Sequence, residues 1–233
     1  MTTRTRLMLW VVAGVVLAVC VPLQAGIIAE FTFPTTTATL PPGPVGYEPV
    51  SVGDGVTVEG IVVGSGMTNT VEISNPTPNY ATQPVLRLSP AGSTTEASAI
   101  ANNRYFEFTV EIDLGQSLDL MTLAMDAARG GGATQRGFAF YTSLDGFADA
   151  IHSGYIPAQR PNVTHYEFDL SGSPYQDLTG SVDFRFYVYS PSAGNTVEFD
   201  NIVLTGEAVP EPATLILCGA GVLTCLWRRR KSA

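Results

Sequence analysis

The central part of the chain, residues 26–206, contains no cysteine and no lysine. The three cysteines, Cys20, Cys218 and Cys225, all lie in the two apolar ends of the sequence. Disulfide bonds and thiol chemistry are therefore excluded for the central part. Its stability has to come from an apolar core, and about 180 residues are enough for one domain with such a core.

Side chains that enzymes commonly use are scarce. His152 and His165 are the only histidines, and neither Gly-x-Ser-x-Gly nor His-Glu-x-x-His occurs. This argues against nucleophilic catalysis and against a zinc site. Residues 130–132 are all glycine, but no Gly-Lys-Ser/Thr follows them, so they predict a hairpin loop and not a phosphate-binding loop.

Two pairs of carboxylates have a spacing that needs weighing. Glu111 and Asp113, and likewise Glu167 and Asp169, lie two apart on predicted strands. That spacing is ~7 Å, within the range for inverting glycosidases. Every strand with alternating acidic residues meets this condition. His165 lies on the same face as Glu167 and Asp169, and such a row of polar side chains is typical of a solvated strand face. We therefore predict that the protein is not an enzyme.

Positive charge is nearly absent from the central part. Six arginines stand against 21 acidic residues between Glu30 and Glu211, which leaves a formal charge of −15. Such a surface repels nucleic acid and favours divalent cations. The same charge is also explained by solubility alone.

The start of the chain predicts a secretory signal peptide over residues 1–25. Arg4 and Arg6 precede an uncharged apolar run at residues 7–21, and Ala25 offers the small residue that signal peptidase requires. A lipoprotein signal at Cys20 fits less well, because a bulky residue precedes the cysteine.

The body, residues 26–206, shows short alternating apolar runs between Gly, Pro, Asn, Asp and Ser, and no amphipathic pattern of helical length. This predicts an all-β, antiparallel β-sandwich. The predicted strands are residues 27–33, 56–63, 105–114, 118–127, 137–143, 166–170, 184–188 and 196–204.

The last predicted strand contains a change of phase. Val197 and Phe199 share one face, whereas Ile202 and Leu204 fall on the other. Either a β-bulge near residues 200–201 or burial of both faces explains this, and we favour the bulge.

Residues 207–233 predict a linker, a short motif and an apolar tail. Pro210 and Pro212 should keep Glu211 extended and outside any sheet. The uncharged run at 213–227 predicts a helix of about 22 Å, which is short for a bilayer core of about 30 Å. The chain then ends in a basic cluster that should stay on the cytoplasmic side: Arg228, Arg229, Arg230 and Lys231.

This tail resembles the PEP-CTERM sorting signal of Gram-negative bacteria, in the order Pro210-Glu211-Pro212, apolar run and basic end. The resemblance implies recognition by an exosortase, a membrane-embedded cysteine transpeptidase. It also implies transient inner-membrane anchoring before export to the cell surface or medium, often in cells that make exopolysaccharide. An ordinary C-terminal anchor is the alternative.

The body is similar to a domain found in front of this signal, at residues 105–110, 126–129, 143–147, 184–187 and 198–202. Its strand layout also resembles jelly-roll carbohydrate-binding modules. Two functions remain: a non-enzymatic surface or extracellular-matrix protein, or a carbohydrate-binding module for exopolysaccharide. An exposed aromatic platform would favour the second.

Two sites are predicted within the body. Tyr187 and Tyr189, with Arg185 beside them, could stack on sugars, although a cross-strand aromatic cover is the simpler interpretation. Glu30 and Asp200, on the first and last strands, could hold a structural calcium. The resemblance to jelly-roll carbohydrate-binding modules implies this, because acidic residues on the first and last strands of those modules bind calcium. Solvated carboxylates are the alternative there.

Overall fold

The computed structural model describes residues 25–33, 47–67, 71–74, 84–90, 92–130, 134–192 and 194–210. The elements in chain order are β1 Gly26–Phe31, β2 Ser51–Val52, β3 Val56–Val58, β4 Val62–Val63, β5 Val71–Ser74, β6 Val85–Leu88, helix α1 Glu96–Ala101, β7 Tyr105–Ile112, β8 Gln116–Gly130, β9 Gly137–Thr142, β10 His152–Tyr155, β11 Thr164–Asp169, β12 Ser181–Tyr189 and β13 Thr196–Pro210. Residues 1–24 of the predicted signal peptide and the predicted C-terminal apolar helix at 213–227 lie outside the described residues.

Two antiparallel sheets pack face to face, so the predicted all-β, jelly-roll-like sandwich is confirmed. The first sheet has the order β11-β8-β13-β1-β2, with β6 also on β13 and β5 on β6. The second has the order β10-β9-β12-β7-β3, with β4 also on β7. β1 and β13 are hydrogen-bonded neighbours, as expected for the two ends of the domain.

Aromatic rings fill the space between the sheets. Phe106, Phe108, Val110 and Ile112 of β7 are buried, as their alternation predicts. The predicted strand 105–114 is two residues too long at its end, because β7 ends at Ile112 and a turn follows, closed by a hydrogen bond from the Gln116 amide to the Asp113 carbonyl. Leu114 lies fully exposed on that turn.

The predicted β-bulge is confirmed. The register between β13 and β8 shifts between Asp200 and Val203, and Asn201 has a φ of 50°. Because one residue is added there, Phe199 and Ile202 both point into the core.

Other local features also differ from the sequence predictions. β8 and β9 belong to different sheets, so these two strands do not form the hairpin that was predicted around residues 130–132. The short strands β2, β5, β6 and β10 were missed. Helix α1 was missed as well, although a capping box between Thr95 and Ser98 marks its start.

The last strand is longer than predicted. β13 continues to Pro210, and residues 207–210, expected to be linker, pair with β8 from Glu207↔Asp119 to Pro210↔Gln116. Proline can take this position because residues 207–210 lack a second neighbouring strand among the described residues, so a missing amide hydrogen leaves no partner unsatisfied. Within the described part of the chain no helix is long and apolar enough to cross a bilayer.

Candidate functional site

The two ends of the sandwich domain lie side by side. Gly26 of β1 is paired with Gly206 of β13, and beyond Gly206 the last strand is paired only with β8 among the described residues. The register shifts again between Thr205 and Gly206. A Cβ at Gly206 would lie 2.5 Å from the carbonyl oxygen of Asp119, so only glycine fits this close approach. We call this end of the sandwich, with Gly26, residues 206–210 and the β7–β8 turn, the tether end.

Charge is distributed unevenly between the two ends of the sandwich. All six arginines of the body lie in described residues, and none is at the tether end. Four of them, Arg87, Arg129, Arg136 and Arg160, lie near Glu198 at the opposite end. The tether end therefore carries only acidic charged side chains among the described residues. The acidic residues there are Asp54, Glu111, Asp113, Asp119, Asp177 and Glu207.

The outer face of the second sheet carries the predicted tyrosines, but helix α1 covers them. Tyr187 and Tyr189 are each only 5% exposed and pack with Ala99 of α1 and with Tyr141. The Tyr141 hydroxyl and the Ser153 hydroxyl both donate to the carboxylate of Glu96, which fastens α1 to the sheet. The expectation that the rings of Tyr187 and Tyr189 are open to a sugar is therefore wrong, and the cross-strand cover is what the structure contains.

Arg185 belongs to the same cover. Its Nε donates to Glu107 Oε2 at 2.7 Å, and its guanidinium carbon lies 3.9 Å from the ring centre of Phe147 and 4.3 Å from that of Tyr105. It also donates to the Tyr187 hydroxyl at 3.2 Å. With a carboxylate and aromatic faces already bound, this side chain stabilises the sheet surface.

A pocket of about 300 Å³ lies beside the β-bulge. Asp126, Glu198, Asp200 and Asn201 supply its polar lining, and the segment around Pro161 forms part of its wall. Asn201 Nδ2 donates to Asp126 Oδ2 at 2.9 Å, and Asp126 Oδ1 lies 2.9 Å from His165 Nδ1. The sequence signalled this position through the phase change in β13, but not the pocket.

Asp200 is the most strongly shifted carboxyl group in the pocket. Burial raises its pKa from 3.8 to about 6, and the nearby Asp126 carboxylate adds to the rise. The amide hydrogen of Asn201, donated to Asp200 Oδ1 at 2.8 Å, opposes it. Between these two pKa values the folded state keeps a proton on Asp200 that the unfolded chain releases. The contribution of Asp200 to the free energy of unfolding is therefore fully present below pH 4 and is lost as pH rises through 6.

We expect Asp200→Asn to stabilise the body by about 1–2 kcal/mol at pH 7. A change in pKa from 3.8 to about 6 corresponds to at most ~3 kcal/mol, and solvent screening at this partly exposed site reduces that figure. Urea unfolding of the mature body between pH 4 and pH 7 is the measurement, and the gain should disappear near pH 4.

Asp169→Asn is the matched control. Asp169 is exposed, and hydrogen bonds from the Ser171 hydroxyl and amide lower its pKa. It should therefore show no gain at pH 7. Equal stabilisation by both substitutions would mean that general charge reduction, and not burial at Asp200, is responsible.

Glu30 and Asp200 lie on neighbouring strands but not opposite each other. Glu30 is paired with Val203, beyond the bulge, whereas the residue paired with Asp200 is Asp126. Among the residues that the structure describes, no group of three or more histidine, cysteine or acidic side chains is placed to hold a metal. Since calcium takes six to eight oxygen ligands, Glu30 and Asp200 alone are an incomplete set.

The acidic pairs weighed as possible catalysts lie on solvent-exposed strand faces, except that Asp113 lies in the turn after β7. Glu111, Asp113, Glu167 and Asp169 are all exposed. The lowered pKa of Asp169 is the opposite of what a general acid requires. His165, in contact with Asp126, is exposed too.

Several solved structures are similar to the chain at low sequence identity. The K1 cleaved adhesin domain of Lys-gingipain from Porphyromonas gingivalis W83 is 11% identical, with 78% of this chain and 97% of that chain covered and a TM-score of 0.41. The CBM22-1 xylan-binding domain of Paenibacillus barcinonensis Xyn10C is 11% identical, with 79% and 96% covered and a TM-score of 0.37. The family 11 carbohydrate-binding module of Clostridium thermocellum, in complex with a β-1,3-1,4-mixed-linked tetrasaccharide, is 18% identical, with 65% and 84% covered and a TM-score of 0.31.

The C-terminal end is matched by a family model. No curated protein matches the chain. The model for the PEP-CTERM protein-sorting motif, however, matches residues 208–231, starting within the last three residues of β13. The chain carries the PEP-CTERM protein-sorting motif, and it is accordingly an exported protein that is sorted to the cell surface.

Proposed function

We propose that the protein is a non-enzymatic component of the cell surface or extracellular matrix that an exosortase processes at Pro210, Glu211 and Pro212. The observation that carries this proposal is the position of the sorting motif, which continues directly from the last strand of the sandwich. A folded body of β-strands is thereby joined to the processing site without a long linker. The body then acts as the cargo.

The charged ends of the chain fit transient anchoring in the inner membrane. Signal peptidase acts first on residues 1–25 in this proposal, and the tail at 213–227 then holds the body at the membrane. The basic cluster at 228–231 keeps the end of the tail in the cytoplasm. Exosortase cleavage near Glu211 frees the body on the outer side.

The processing proposal predicts two losses from the exported protein. Mass spectrometry of the protein secreted by its native host should find a start near Gly26 and an end near Pro212. Glu211→Ala should abolish the C-terminal loss, because the acid between two prolines is the distinctive part of the motif. The product would then keep the basic cluster.

Glu207→Ala is the matched control for that substitution. It also removes one acidic side chain, four positions upstream and opposite Asp119, so it should leave processing intact. Arginines 228–230 on the exported wild-type product would contradict the proposed function.

Binding of exopolysaccharide is the second candidate function, and one observation favours it. Tyr155, on the edge strand β10, is 52% exposed and makes an edge-to-face contact with Tyr189 at 5.8 Å. An exposed ring held by another ring presents a face to which a sugar could bind. Glycan binding by the mature body, compared between wild type and Tyr155→Ala, separates this function from a purely structural one.

The structural calcium proposed for Glu30 and Asp200 has a direct thermal test. A cation that binds only the folded state raises the free energy of unfolding by RT ln(1 + [Ca]/Kd), which is about 2.7 kcal/mol at one hundred times Kd, and the melting temperature rises with it. Unfolding of the mature body should therefore be compared in millimolar calcium and in EDTA. An unchanged melting temperature, or a shift that survives Asp200→Ala, would remove the site.

A further inference from the structure

The β-bulge lies where the last strand changes its neighbour. β6 is paired with β13 up to Phe199, and β1 is paired with it from Ile202 onward. Asp200 and Asn201, between these two points, therefore have no neighbouring strand on this side among the described residues. The pocket of about 300 Å³ lies at this gap, so it follows from the arrangement of the strands in the first sheet.

A second wall of the pocket is a segment that is held along β8. The Arg129 amide donates to the Ala158 carbonyl and the Arg160 amide donates to the Arg129 carbonyl, both at 3.0 Å. Pro161 and Val163 follow this segment and give the pocket part of its apolar lining. Because backbone hydrogen bonds fix the segment, the pocket is formed before any ligand arrives, as is usual for binding sites.

The polar side chains of the pocket offer mainly acceptors. The Asp200 carboxylate accepts only the Asn201 amide hydrogen among the described residues, at 2.8 Å. Glu198 is already engaged, with Arg87 at 3.4 Å and Arg160 at 3.5 Å from its Oε1. Asp200 therefore keeps an acceptor oxygen for a ligand, and the carboxylates of the lining repel an anionic one.

A buried donor at the wall narrows the choice of ligand. The Arg160 side chain is only 9% exposed, and its Nε has no hydrogen-bond partner among the described residues. Buried donors in this state are rare in proteins. An ammonium group or a metal ion donates or attracts but does not accept, whereas a hydroxyl group does both. Hydroxyl groups are therefore the chemistry that suits Asp200 and Arg160 together.

We propose that this pocket binds one unit of a neutral sugar, with hydroxyl groups at Asp200 and Asn201 and an apolar ring face against Pro161 and Val163. The inference rests on the second candidate function, binding of exopolysaccharide, and adds a contact separate from Tyr155. A volume of about 300 Å³ is at the lower end of the range for ligand sites. The pocket therefore suits a single ring of a polymer and not a longer stretch.

The two histidines of the chain give a local measurement of binding. His165 contacts the pocket through Asp126, at 2.9 Å, whereas His152 packs against Phe138 and Tyr166. The mature protein is titrated with the methyl glycosides of glucose, galactose and mannose while the ring signals of both histidines are followed by NMR. We expect a saturable shift at His165 with at least one of these sugars and none at His152.

Either of two results would overturn the proposal at this stage. One is the absence of a saturable His165 shift with all three sugars. The other is a shift with calcium chloride but with none of the sugars, which would make the pocket a cation site.

Two substitutions then test the contacts themselves. Asp200→Asn, which we expect to fold, replaces an acceptor oxygen by an amide nitrogen and should weaken sugar binding about tenfold or more. Val163→Trp enlarges a side chain that is 46% exposed at the pocket and should abolish binding by filling the space. Tyr155→Ala is the control and should leave the affinity of the pocket unchanged.

The same variants separate this inference from the function on which it rests. Glycan binding that is lost in Tyr155→Ala but unchanged in Asp200→Asn and Val163→Trp would keep the second candidate function and overturn the pocket. Absence of binding to every glycan and every sugar would remove both.

Discussion

Phe186→Ala should destabilise the mature body by about 3–5 kcal/mol. The ring of Phe186 is fully buried at the centre of a three-ring stack, 4.6 Å from Phe106 on β7 and 4.6 Å from Phe140 on β9, and parallel to both within 6°. Its removal takes apolar area out of the core and leaves a cavity between two strands that cannot collapse without losing their pairing. Since domains of this size are stable by only 5–15 kcal/mol, the loss is a large part of the total.

Urea unfolding measures this loss as a lower midpoint with an unchanged slope. Tyr155→Ala is the control, because it removes a ring of similar size from the same sheet at a site that is 52% exposed. We expect a change below ~1 kcal/mol there. Similar losses at both positions would show that the stack contributes no more than a surface ring.

The sequence predicted the sandwich because one face of most strands is buried and the other is solvated. Phe106, Phe108 and Val110 follow this rule, and the phase change at Asp200 revealed a bulge through the same rule. The sorting motif could also be predicted from the sequence, because it is a continuous stretch of residues.

The predictions that were wrong depend on contacts between residues that are distant in sequence. Tyr187 and Tyr189 have the correct strand face, but a helix some 90 residues earlier in the chain covers them, and the alternating pattern carries no information about such a cover. β13 reaches Pro210 because β8 extends to Gln116 beside it. Proline cannot donate a hydrogen bond to a neighbouring strand, so whether it ends a strand depends on which neighbours that strand has, and the sequence does not show them.

Arg136 is the clearest residue that the sequence did not single out. It is fully buried, although an isolated arginine between Gln135 and Gly137 gives no pattern. One guanidinium nitrogen donates to the carbonyls of Gly130 and Thr196, the latter at 2.8 Å, and the other to Asn195 Oδ1 at 2.9 Å. Gly130 and Thr196 are the last pair of β8 and β13, so Arg136, which immediately precedes β9, ties the first sheet to the second.

Arg136→Met should destabilise the body by about 3–5 kcal/mol, as expected when one member of a buried charged network is removed. Burial lowers the pKa of Arg136, and the Glu198 carboxylate opposes this effect. The substitution keeps much of the volume but leaves three acceptors without their donor, and Glu198 loses a neighbouring positive charge. Arg136→Lys should recover only part of the stability, because an ammonium group lacks the planar fork that reaches all three oxygens.

Arg129→Met removes the same formal charge from the same end of the sandwich and therefore controls for the acidity of the body. Arg129 donates to the carbonyls of Pro157 and Ala158 at 3.1 and 3.4 Å from a half-buried position, so we expect a loss of ~1 kcal/mol. General repulsion is screened by salt; the loss at Arg129 should therefore shrink in 0.5 M NaCl (about 4 Å Debye length), and that at Arg136 should persist. Equal losses that both vanish in salt would show that Arg136 acts as one positive charge among acidic residues and not as the tie between the sheets.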